Sequence, residues 1–186
     1  MSTAAVPGRS PSNALLVAAG AGAAVAVALG VYGHVHDPSQ RLVFTLFFSS
    51  TIALKVWFAT LALVLACVQV GLALWIYGRL PWTAPPWAGP AHRITGRLAF
   101  LTTLPVAYHC LWSLGFQDSS TRVLAHSLLG CAFYGAFVTK VLVVRNHTLP
   151  ARTLPIAGGV MFSLLVLLWY TSALWFVRDN GGLPPI

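Results

Sequence analysis

The chain has 186 residues and a net charge of +8, with 58% hydrophobic and only 8% charged residues. So few charges cannot coat a water-soluble globule of this size, which makes the lipid bilayer the expected solvent and partner. The excess of positive charge is then read as membrane topology and contact with anionic lipid, not as a nucleic-acid surface.

Met1 to Asn13 contains Pro7 and Pro11 among small residues and is expected to be a disordered cytoplasmic tail. The first apolar run, Ala14 to Tyr32, is rich in Ala and Gly and is read as a retained helix over about 14–33, because no clean small-x-small cleavage site follows it. Leu42 to Tyr77 is too long for one crossing at 1.5 Å per residue. A break at Ser49, Ser50 and Thr51 leaves Leu42 to Phe48 as an interfacial or re-entrant piece and 52–77 as the second helix. Gly78 to Pro90, with four prolines and two tryptophans, is expected to be a stiff connection at the interface, where Trp is favoured. The third, fourth and fifth helices are expected over 92–116, 122–144 and 156–177, with 178–186 as a short outer tail. Short connections predict antiparallel packing of successive helices.

The fold class is therefore all-α: a polytopic membrane bundle of five transmembrane helices occupying 14–177. Lys and Arg are retained on the cytoplasmic side. Five crossings place Arg9, Arg79, Arg93, Arg97, Lys140, Arg145 and Arg152 with the N-terminus, against Arg41, Arg122 and Arg178 with all three acids on the other side. The N-terminus is expected inside and the C-terminus outside. Cys67, Cys110 and Cys131 each fall within an expected helix without C-x-x-C pairing and read as apolar filler.

Six histidines in so uncharged a chain are sorted by depth. Around a turn at Asp118, His109 lies nine residues before and His126 eight after, so both should reach the same depth, about 10 Å from the turn. His34 and His36 end the first helix near the same surface, whereas His92 and His147 mark the opposite ends of the third and fourth helices. Two neutral imidazoles at matched depth suit bis-histidine haem b, since Nε2 is a good iron ligand and the macrocycle is a flat apolar plate. His109 and His126 are the candidate axial ligands, with His36 or His34 as a further one. Below His126, one helical stripe carries Gly130, Phe133, Phe137 and Lys140, so Gly130 would leave room that the phenylalanines wall. Pro105, four residues before His109, removes a backbone hydrogen bond and opens space. Lys55 and Arg122 would meet the propionates. A weaker inner site would use His92, His147, Arg97 and Lys140.

HRITGRLAF, PVAYHCLWSLGF, RVLAHSLLGCAFYGAFVTKVLVVR and SALWF resemble, across nearly the whole chain, a family of small actinobacterial integral membrane proteins of unknown function. The resemblance implies a bacterial plasma-membrane protein whose recurring polar positions are His36, Lys55, His92, His109, His126 and Lys140. The layout also resembles the cytochrome b561 and ferric-reductase transmembrane groups, which are compact bundles carrying bis-histidine haem b. His92 and His109 are 17 residues apart and His126 and His147 are 21 apart, which rotates the partners about 100° and about 60° off a common face. One outer haem is thus more economical than a stacked pair.

The expected function is electron transfer through haem b between a quinol or inner donor and an outer partner, with no catalytic residue assigned. The alternatives are a non-enzymatic subunit of a membrane complex and a copper or zinc site using His109, Cys110, His126 and Cys131. Proton-coupled transport through a buried carboxylate is disfavoured, because no Asp or Glu lies within a span.

Overall fold

A computed structural model describes residues 11–39 and 44–186. Six α-helices follow in order: α1 Pro11–Val35, α2 Thr51–Ile76, α3 Ala88–Tyr108, α4 Thr121–Arg145, α5 Thr153–Trp169 and the short α6 Trp175–Asp179. Two π-helical turns extend helices without ending them: His109–Leu114 continues α3, and Tyr170–Leu174 joins α5 to α6.

The second expected helix is capped where the serine break was placed. The Ser50 side chain accepts from the Ala53 N–H at 3.1 Å and satisfies one of the orphan donors of the first turn. Ser120 caps α4 in the same way through Val123 N–H. Other limits differ from expectation. The expected tail is already helical from Pro11, with residues 1–10 outside those described, and of Leu42 to Phe48 only 44–48 are described, as non-helical turns. Helix α3 starts at Ala88, because Pro90 is tolerated in a first turn where its missing N–H would have had no partner.

Among the described residues, four helical stretches are long and apolar enough to cross a membrane: Pro11–Val35, Thr51–Ile76, Thr121–Arg145 and Thr153–Asp179. Helix α3 is not among them, because His92, Arg93 and Arg97 lie in its first turns. The protein is thus a multi-pass membrane protein with four such helices where five were expected. Large apolar side chains face outwards as lipid-exposed surface requires, with Leu16 69% and Val27 66% exposed.

Short connections do not dictate which helices pair. The main interfaces are α2 on α3, α1 on α4, α4 on α5 and, less extensively, α2 on α5. Helix α1 thus packs on α4, not on its sequence neighbour α2. The reason is shape: Ala14, Ala18 and Gly22, four residues apart, are buried on one face of α1. A Cβ at Gly135 would lie 2.5 Å from Gly22 O and 2.9 Å from Ala26 Cβ, so the two backbones meet where only glycine fits. Thr139 Oγ1 closes the seam by donating to Ala18 O at 3.2 Å.

Helix α3 runs antiparallel along the length of α2. Near one end Gln69 donates its side-chain amide to His92 O and Thr95 Oγ1, while Trp75 meets Trp87 edge-on. At the other end the Phe44 ring, seven residues before α2, lies 4.5 Å from that of His109. Helices α3 and α4 instead touch through side chains. Tyr134 OH donates to Thr103 O at 3.1 Å, and Phe100 stacks on Phe137 with ring centroids 3.6 Å apart. Beyond this bridge, toward the His109 and His126 end, a cavity is lined by residues of both helices.

Candidate functional site

The cavity has a volume of about 310 Å³, in the range of small-ligand pockets, and its wall is overwhelmingly apolar. Its polar lining includes Lys55 from α2, Arg122 and His126 from α4, and Thr171 from the second π turn. Four expected site residues, Lys55, Arg122, His126 and Gly130, therefore line one space. Their convergence has a simple local cause: residues 122, 126 and 130 stand one helical turn apart on the same face of α4.

Both π turns line this space, through Cys110, Leu111 and Leu114 of the first and Thr171, Ser172 and Ala173 of the second. A π turn widens the helix and releases backbone groups from the regular ladder, and such turns concentrate at functional sites. The first follows Pro105, whose missing N–H leaves the Leu101 carbonyl without its α-helical partner. Its exit is fixed by Gly115 at φ 70, a left-handed conformation suited to glycine. There a Cβ would also approach Gly33 O to 2.9 Å, so the loop sits tightly on the end of α1.

The His126 ring is hydrogen-bonded to Thr171 and to the Leu168 backbone. Thr171 Oγ1 donates to Leu167 O at 2.9 Å, so at 3.0 Å it accepts from His126 Nδ1–H. That tautomer leaves a lone pair on Nε2. One turn below, Gly130 has nothing within 4 Å of the position a Cβ would take. Arg122 donates to Thr171 O at 2.8 Å and lies 3.8 Å over the Trp175 ring. Lys55 is half-buried and has no ion-pair or hydrogen-bond partner among the described residues. The site is thus an apolar chamber with an imidazole lone pair and two cations that face no carboxylate among the described residues.

His109 takes another place. It is 1% exposed and is not part of the cavity wall, although its neighbours Ala107, Cys110 and Leu111 are. Its Nδ1 donates to Pro105 O at 2.8 Å, and Nε2 is buried with no partner among the described residues. It has the same lone-pair tautomer as His126 but is packed against Phe44 and Tyr108. Matched depth therefore did not place both imidazoles on one cavity, because depth leaves the rotation of a helix undetermined. His36 is also elsewhere: its Nε2–H donates to Trp112 O at 3.2 Å and its ring lies between Tyr32 and Trp112.

The weaker set does not assemble as a group. His92 is half-buried with Nδ1 unpartnered among the described residues. Arg97 and His147 are exposed. Cys110 and Cys131 line the cavity with His126, but among the described residues no three His, Cys, Asp or Glu side chains converge closely enough to hold a metal ion.

Thr171, Trp175 and Tyr134 are the site residues that sequence reasoning missed. Helical spacing relates residues within one helix, whereas Thr171 meets α4 across 45 residues. Its only local signal is a Thr-Ser pair, Thr171 and Ser172, within an otherwise apolar run. A family model described as Family of unknown function (DUF6529) matches residues 15–183. No curated protein and no solved structure matches the chain.

Proposed function

Because the chain belongs to DUF6529, a family without an assigned function, we propose from the cavity itself that the protein is an integral membrane haem b carrier. It would pass electrons between a quinol or inner donor and an outer redox partner in a bacterial plasma membrane. The observation that carries this reading is the convergence of His126, Gly130, Lys55 and Arg122 on one apolar chamber.

Each residue has a defined part. His126 would hold the iron through Nε2, because Thr171 occupies Nδ1. Gly130 leaves a flat, open stretch of helix beside it. Lys55 and Arg122 would supply positive charge for two carboxylates, and a charge-assisted bond in so apolar a lining is worth more than one in water. A bound haem would supply a one-electron couple. The first π turn lines the same chamber, and His109 on that turn, which does not line it, would have to turn its unpartnered Nε2 inward to serve as a second ligand.

The same reading has α3 cross the membrane as a fifth span, N-terminus inside and C-terminus outside. Its antiparallel course along α2 supports this, since both ends of α3 meet the opposite ends of a helix long enough to cross. The seven-to-three distribution of Lys and Arg then follows the positive-inside rule.

The test is a reduced-minus-oxidised spectrum and a pyridine haemochrome assay on protein purified after expression with ample haem. A stoichiometric haem b signal, lost in His126→Ala, is expected. Haem-free protein that copurifies with other membrane proteins and tolerates His126→Ala would sink the proposal in favour of a structural subunit.

A further inference from the structure

The second π turn does more than line the cavity. An α-helix would direct the Trp175 N–H at Thr171 O, but this N–H bonds Ser172 O instead. The Thr171 carbonyl thereby becomes available, and Arg122 donates to it at 2.8 Å. The hydroxyl of the same residue faces His126, one turn further along α4, and its single proton is committed to Leu167 O at 2.9 Å or Leu168 O at 3.1 Å. It can therefore only accept from the imidazole. Thr171 is itself buried, 9% exposed, so water does not readily replace either bond.

We propose that Thr171 is the positioning residue of this site: its hydroxyl holds His126 in the Nδ1–H tautomer, and its carbonyl, released by the π turn, holds Arg122 against Trp175. One residue thus orients both an imidazole lone pair and a cation toward the same space, and α4 presents them in register because they are four residues apart. The use made of that lone pair rests on the haem reading; the tautomer does not. Outer partners of this kind typically change ligand affinity about 10–100-fold when removed.

Thr171→Val keeps the side-chain shape and the carbonyl while deleting the hydroxyl, and Thr171→Ser restores the hydroxyl. The tautomer is read on haem-free, 15N-histidine-labelled protein in detergent by long-range 1H–15N correlation, with His126→Ala to assign the signal. Wild type and Thr171→Ser are expected to show His126 as Nδ1–H, and Thr171→Val to shift it toward Nε2–H. Haem titration should give about tenfold weaker binding for Thr171→Val than for Thr171→Ser. An unchanged tautomer in Thr171→Val overturns the proposal, as does a changed tautomer with undiminished haem affinity. If no variant takes up haem while the tautomer shifts as expected, the haem reading fails and the role of Thr171 at His126 stands.

Discussion

At the level of single residues, the two cations at the cavity are held differently, and their removal should differ accordingly. Lys55 has no ion-pair or hydrogen-bond partner among the described residues, so Lys55→Met is expected to leave thermal stability unchanged while weakening haem binding. A charge-assisted hydrogen bond of roughly 1.5–3 kcal/mol corresponds to about tenfold or more in affinity. Arg122 is bonded to Thr171 O and stacked over Trp175, so Arg122→Met should reduce both affinity and melting temperature. Parallel melts and haem titrations of the two variants check this. The histidines are separated by their variants: His126→Ala should abolish haem uptake, whereas His109→Ala should retain haem, and a change from a low-spin to a high-spin spectrum would assign the second ligand to His109. Of this site, the part on α4 was legible in the sequence because a helix repeats every 3.6 residues and places 122, 126 and 130 together. Thr171 was not, because its bond to His126 depends on how two helices are docked.

Elements decide where glycine is structural and where it is spatial. Gly22 and Gly135 lie where α1 and α4 meet, and a Cβ on either would run into the other helix's backbone. Gly135→Ala should therefore cost about 1–3 kcal/mol, as overpacking does, seen as a lowered melting temperature in detergent. Gly130 faces open space, so Gly130→Ala should melt like wild type. Gly130→Phe should also fold, yet exclude haem by filling the cavity; unimpaired haem uptake by this variant would count against the cavity as the binding site. All three glycines belong to the same helix-rich, small-residue pattern in sequence. Their difference arises from packing partners: α1 chose α4 because small faces allow close approach, which loop length did not reveal. The two π turns were likewise unexpected, although Pro105 marked a local loss of one backbone bond near the first.

For the molecule as a whole, the prediction is one of parity. If α3 crosses with the other four long helices, a C-terminal alkaline phosphatase fusion should be active and a C-terminal green fluorescent protein fusion dark. The reverse result would remove one crossing and place both termini on one side. Read alone, the chain establishes its solvent, its helical class and four apolar stretches long enough to cross, because these follow from local hydropathy and from the need to satisfy every backbone group inside lipid. It also establishes the stripe of Arg122, His126 and Gly130, which one helix's periodicity produces. Tertiary structure decided that α1 lies on α4, that His109 is turned away from the cavity wall, and that Thr171 reaches His126. These depend on relative rotation and docking of helices. Depth along a helix is additive in residue number, but its facing is shifted by every proline and π turn and settled only by what packs against it.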